Sequence, residues 1–169
     1  MNKRIRQYAG LISALLSYYL VHEGAHFLYA IATGTFKQIN LMALGVQVDI
    51  YHDRLSDAQL GWFCLAGPMA TFLAWWLMVA FRRQICSARS QVLRACAWYV
   101  SIIMAILDPI YLSVIYRFVG GGDMNGISML VPEIVAQVVF AVMAIINVIV
   151  LFKIVLPVYS ESFKIHDKS

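Results

Sequence analysis

The chain has 169 residues, 62% hydrophobic and only 13% charged, with a formal net charge of +4. Soluble domains of this size run near ~45–50% apolar and ~25% charged, so the composition excludes a water-soluble globule. It implies an all-α polytopic membrane protein of one domain, residues 1–169, with the lipid bilayer as its solvent. The basic residues sit in short clusters, Lys3-Arg4-Arg6 and Arg82-Arg83-Arg89-Arg94, beside apolar runs. Clusters so placed are topology signals and exclude nucleic acid as a partner.

About four transmembrane helices are expected. The first covers residues 8–33 and ends at Gly34. Its apolar run is longer than the roughly 7–15 residues of a signal-peptide core, so it reads as a retained span. Residues 36–50, FKQINLMALGVQVDI, set Val46 and Val48 against Gln47 and Asp49 around Gly45. That period of two predicts a short hairpin or membrane-edge β-strand. The second span is 58–81, closed by Arg82 and Arg83. The third is 92–118, entered from Arg94, with a kink expected where Asp108 precedes Pro109. The fourth is 132–154, with Pro132 placed for a helix start. Basic residues precede the first span, fill the loop between the second and third, and follow the fourth at Lys153, Lys164 and Lys168. The positive-inside rule then places both termini in the cytoplasm and residues 22–26 in the outer half of the first span. Cys64, Cys86 and Cys96 form no CxxC pair and read as small core hydrophobes. Trp62, Trp75, Trp76, Trp98, Tyr18 and Tyr19 read as interface belt and packing.

Inside the first span residues 22–26 are His-Glu-Gly-Ala-His. Two histidines four apart on a helix differ by about 40° in azimuth, so both imidazoles leave one face a turn apart. A zinc ion about 2.0–2.1 Å from each nitrogen can join them. Glu23, beside the metal without ligating it, can take a proton from the attacking water. At this chain's His and Glu content the pattern arises by chance about once in several hundred such sequences. Ionisable groups at membrane depth are costly, and an unpaired Glu between two histidines would have nothing to offset it.

Catalytic zinc takes three protein ligands. His52 and His166 lie in a loop and in the tail and read as solvated. Asp123 in GGGDMNG, residues 120–126, and Asp108 in LDPIY, residues 107–111, are the acidic residues at depth. Gly120, Gly121 and Gly122 free the backbone to aim a carboxylate inward, which favours Asp123 as third ligand, with Asp108 the alternative. Otherwise Asp123 would cap the last helix, and Asp108 would partner Arg117 or a water.

HEGAH in an apolar helix resembles the first metal motif of the site-2 protease family of intramembrane zinc metalloproteases. The stretch from His22 to Val48 is similar to that family's helix, glycine and membrane-edge strand in the same order. Ala66-Gly67-Pro68 resembles its AGP element, with Thr71 where many members carry Asn. Gly122-Asp123-Met124-Asn125-Gly126 resembles its later Asp-Gly element, with two residues between the aspartate and the glycine. The resemblance covers roughly residues 8–130, without a PDZ-like insertion. It implies a zinc metalloendopeptidase that cleaves membrane-protein substrates in or near transmembrane segments. One Zn2+ per chain would be held by His22, His26 and Asp123, with Glu23 as catalytic base. The edge strand at Gly45 and Val46, with Gly67 and Pro68, would contact the substrate; Gly67-Pro68 reads equally as a small-residue helix contact. Two other readings stay open: an inactive membrane scaffold that has kept the motif, and a metal or proton transporter using His22, His26, Asp108 and Asp123. The absence of an internal repeat speaks against the transporter, and the intact Glu23 against the scaffold.

Overall fold

The computed structural model describes residues 3–42, 45–120 and 122–166. Gly121 and Lys168, invoked above for the helix break and the basic tail, lie outside the described residues, as does the side chain of His166. Helix α1 (Lys3–Ala32) is followed by strands β1 (Phe36–Met42) and β2 (Gly45–Ile50). Helices α2 (Asp57–Ala80) and α3 (Arg82–Cys86) come next. Helix α4 (Gln91–Ile110) leads through a π turn, Tyr111–Ile115, into α5 (Tyr116–Val119). The short α6 (Gly122–Ile127) precedes α7 (Glu133–Val150), which runs through a second π turn, Leu151–Val155, into α8 (Leu156–His166).

Among the described residues, three helices are long and apolar enough to cross a membrane: Asp57–Ala80, Gln91–Val119 and Glu133–Lys164. The four expected spans are thus three by this measure. Helix α1 has the length, at 30 residues. Tyr18, Tyr19, His22, Glu23 and His26 pull its mean hydropathy down. The last helix continues well past Ile154, because its π turn keeps the backbone bonded where the apolar pattern changes face. Pro109 does not end α4. The helix passes through it, and the Tyr116 N–H then donates to the Tyr111 carbonyl across a π turn. Proline withholds an N–H and crowds the preceding turn, and a wider turn just downstream absorbs the misfit.

The hairpin expected from the period-two pattern is present. β1 and β2 pair antiparallel, with Ile39 opposite Val48 and Leu41 opposite Val46, and a bulge near Lys37. Its inner face is anchored by buried Val48 and Ile50. Ser56 caps α2 through a reciprocal pair with Gln59, so the chain re-enters the helical bundle directly after the hairpin.

Among the described residues, two apolar clusters fill the interior. One gathers Phe63, Leu112, Tyr116, Met124 and Phe140. The other gathers Trp75, Met104, Leu151, Val155 and Tyr159. Along α2 and α4 the buried polar residues Thr71 and Asp108 fall between them. Cys64 and Cys86 are buried, and the described cysteines are free.

Candidate metal centre

His22 and His26 leave α1 on one buried face, at 6% and 3% exposure. Their Nε2 atoms face each other at 3.2 Å. Asp123 Oδ2 lies 3.1 Å from His22 Nε2 and Oδ1 lies 3.5 Å from His26 Nε2. Two ring nitrogens and one carboxylate thus meet in one place. Ligands about 2.0–2.1 Å from a tetrahedral ion sit roughly 3.3 Å apart, close to the spacings found.

The local sequence explains how Asp123 arrives there. Gly120 has φ +112°, open to glycine and strained for other residues, and it turns the chain out of α5. Helix α6 then presses onto α2 so tightly that a Cβ on Gly126 would lie 2.3 Å from Cys64 Sγ. Asp123 therefore sits in the first turn of α6, not at the cap of the last helix.

Helix α2 closes the pocket from the other side. A Cβ on Gly67 would lie 2.5 Å from His26 Nε2 and 2.7 Å from His22 Nε2. The space between the imidazoles exists because residue 67 has no side chain. Next to it, Pro68 supplies no N–H to the carbonyl of Cys64, which loosens that turn. The adjacent Phe63 carbonyl accepts from His26 Nδ1 at 2.8 Å. A carbonyl can only accept, so Nδ1 carries the proton and a neutral His26 turns a bare Nε2 lone pair inward. A carboxylate and inward-facing nitrogen around a cradle that a Cβ on residue 67 would fill are the donor set a metal ion requires, and the residues fit one.

Among the described residues, His22, Glu23 and His26 form a group able to hold a metal ion, one ligand atom of each within 4.8 Å of the others. Glu23 is half-buried, and its Oε2 accepts from the Val48 N–H of β2 at 2.9 Å. Glu23 thus bridges the edge strand and the histidine pair. A cavity of about 370 Å³ opens beside it, bounded by Tyr18, Tyr19, Gln47, Val48, Leu107 and Tyr111.

Asp108 is 3% exposed and lies 3.2 Å from Nδ1 of His22, on the ring edge away from His26 and Asp123. Its other partners are the hydroxyls of Thr71 and Tyr18. It does not partner Arg117, which instead donates to Gln137 at 2.9 Å and lies 3.6 Å from Glu133. Gly45 is packed against Tyr19, whose hydroxyl would be 2.7 Å from an added Cβ. Val46 is half-exposed on β2, Pro68 is buried in α2, and His52 is exposed in a single 3₁₀ turn after the hairpin.

Sequence reasoning passed over the Phe63 carbonyl and the Val48 N–H, met Thr71 only as the residue standing where many members carry Asn, and read Tyr18 as interface belt and packing. Backbone groups leave no signature in side-chain identity. Tyr18 carried one signal, its position a single turn before His22 on the same face. The chain matches no family model, no curated protein and no solved structure.

Proposed function

We propose that this protein is an intramembrane zinc metalloendopeptidase. The observation that carries the reading is the meeting of His22 Nε2, His26 Nε2 and the Asp123 carboxylate over the bare Cα of Gly67, with Glu23 alongside. Two nitrogens and one carboxylate are a catalytic zinc set, with the fourth position left for chemistry. Bound zinc supplies a Lewis acid for the scissile carbonyl and lowers the pKa of an attacking water toward ~7. Glu23 accepts the proton of that water and returns it to the leaving amine. The Val48 N–H holds one Glu23 oxygen and leaves the other for this transfer. An isolated amide in hydrocarbon hides its polar groups in a helix, so the substrate must be unwound before attack. The cavity-facing edge of β2, where Val46 presents its backbone on the same side as Val48, offers strand addition for that purpose.

Helix α1 is the fourth span in this reading. Leu11, Ile12, Leu15, Leu16 and Leu20 are exposed along it and suit lipid, and its polar residues face inward toward the cavity. Both termini lie in the cytoplasm, following the basic clusters. The substrate is a membrane protein.

The test uses the purified protein with a transmembrane peptide substrate in detergent or vesicles. Glu23→Gln keeps about one zinc per chain and loses cleavage by a factor of at least ~10²–10⁴, the range of a general base. His26→Ala loses the zinc itself. Cleavage by Glu23→Gln at the wild-type rate, or full zinc content in His26→Ala, would sink the reading.

A further inference from the structure

Resting on the reading of His22 as a metal ligand, we propose that Asp108 is the positioning residue of the centre. Its carboxylate fixes the tautomer and orientation of His22 and thereby sets metal affinity. Asp108 Oδ1 accepts from the Tyr18 hydroxyl, and Oδ2 accepts from the Thr71 hydroxyl. Oδ2 also lies 3.2 Å from His22 Nδ1. The Tyr18 oxygen is 3.3 Å from the same nitrogen, but its hydrogen is directed to Asp108. His22 Nδ1 therefore meets acceptors, and it is the nitrogen that bears the proton. The lone pair is left on Nε2, the atom facing His26 and Asp123. The Tyr18 ring stacks on the His22 ring at 5.2 Å and 29°, which opposes rotation about χ2.

The two histidines are thus anchored by different chemistry. His26 donates to a neutral carbonyl, and His22 to a carboxylate. A carboxylate partner makes the imidazole a stronger donor to a metal than an amide carbonyl does. The three donors to Asp108 sit on α1 and α2 while Asp108 sits on α4, so the anchor is held from several directions in a buried, apolar setting. A buried carboxylate with three donors is a stable arrangement, whereas one with fewer would be costly. The oxygens of Asp108 engage the Nδ1 edge of His22, and Asp108 is an anchor and not a ligand.

The experiment measures zinc affinity of the metal-stripped protein by competition with a chromophoric chelator, and the visible spectrum with Co2+. Asp108→Asn keeps the shape and removes the charge. It is expected to weaken zinc binding about 10–100-fold and to shift the Co2+ bands, while still binding one ion. A purely structural role would lower thermal stability of the metal-free protein and leave both readouts at wild-type values. Wild-type affinity and spectrum in Asp108→Asn would overturn the proposal. So would complete zinc loss in Asp108→Asn together with zinc retention in Asp123→Ala, because Asp108 would then be the ligand. Should Asp108→Asn not fold, ¹⁵N spectra of the wild-type imidazoles decide. The proposal requires Nδ1–H on His22 with and without zinc, and an Nε2–H tautomer or zinc on Nδ1 overturns it. Wild-type affinity in His22→Ala would overturn the zinc reading itself as well, which marks that failure off from the others.

Discussion

The bare Cα of Gly67 faces both Nε2 atoms, so the smallest insertion there probes the pocket. Gly67→Ala places a methyl 2.5 and 2.7 Å from the two nitrogens, closer than real carbon contacts allow. Alanine suits a helix interior better than glycine by about 1 kcal/mol, so α2 itself gains. The expected result is a folded helical protein whose zinc content falls below about a tenth of wild type, read by metal analysis beside circular dichroism. Full zinc content would show that the ion does not sit between the imidazoles. At this scale His22, Glu23 and His26 were legible because a one-turn spacing is written directly in the sequence. The choice between Asp108 and Asp123 was not. Both carboxylates are at depth, and which ring edge each meets depends on the α2–α6 contact made by Gly126 and Cys64. The Gly67 cradle was illegible for the same reason: a glycine marks close approach without naming what approaches.

The hairpin reaches the proposed base, Glu23, through one backbone N–H. Val48 is opposite Ile39 in a pair whose N–H groups point away from the partner strand, and its N–H goes to Glu23 instead. Val48→Pro therefore removes the Glu23 hydrogen bond while sparing the β1–β2 ladder. A charge-assisted bond of this kind is worth roughly 1.5–3 kcal/mol, so the proposed peptidase activity should fall about tenfold or more with no change in metal content. Activity at the wild-type level would show that β2 does not position the base. The strands also carry a pH-sensitive link. The Lys37 ammonium lies 2.9 Å from Asp49 and holds its carboxyl below the usual range. A depressed carboxyl stabilises the hairpin at pH above its ordinary value near ~3.9, and that contribution disappears as the pH falls further. Protection of the β1 and β2 amides, measured against their intrinsic exchange rate at each pH, should fall below about pH 4, and Lys37→Met should remove the step; a step of the same size in Lys37→Met would exclude this pair as its source. The hairpin was legible because Val46, Gln47, Val48 and Asp49 alternate cleanly. The ends of the later helices were not, since a π turn leaves no break in an apolar run.

Across the whole molecule the centre joins parts distant in the chain: α1 brings the histidines, α2 the cradle and α6 the carboxylate. An ion bound only in the folded state stabilises it by about 2.7 kcal/mol at a hundredfold excess over its dissociation constant. Thermal unfolding in detergent should therefore rise with added zinc for the wild type and stay flat for His22→Ala. An equal rise in both would place the stabilising ion elsewhere. Four apolar runs were legible in the sequence; α2, α4 with its continuation, and α7 with α8 meet the length and hydropathy of a span, while α1 has the length but is made more polar by Tyr18, Tyr19, His22, Glu23 and His26. The π turn at Tyr111–Ile115 has one more consequence. It takes up an additional residue at nearly constant axial height, so the helix is re-indexed by about 100° there. Upstream, the indexing aims Leu107 and Asp108 at the cavity; within and just past the turn, Leu112 and Tyr116 go into the apolar interior. A single helical wheel drawn from Gln91 to Val119 misassigns one of these stripes. A chain of the same build that lacked the π turn would align with this one through a one-residue gap at that point, and a gap placed elsewhere would put every residue between it and the turn on the wrong face.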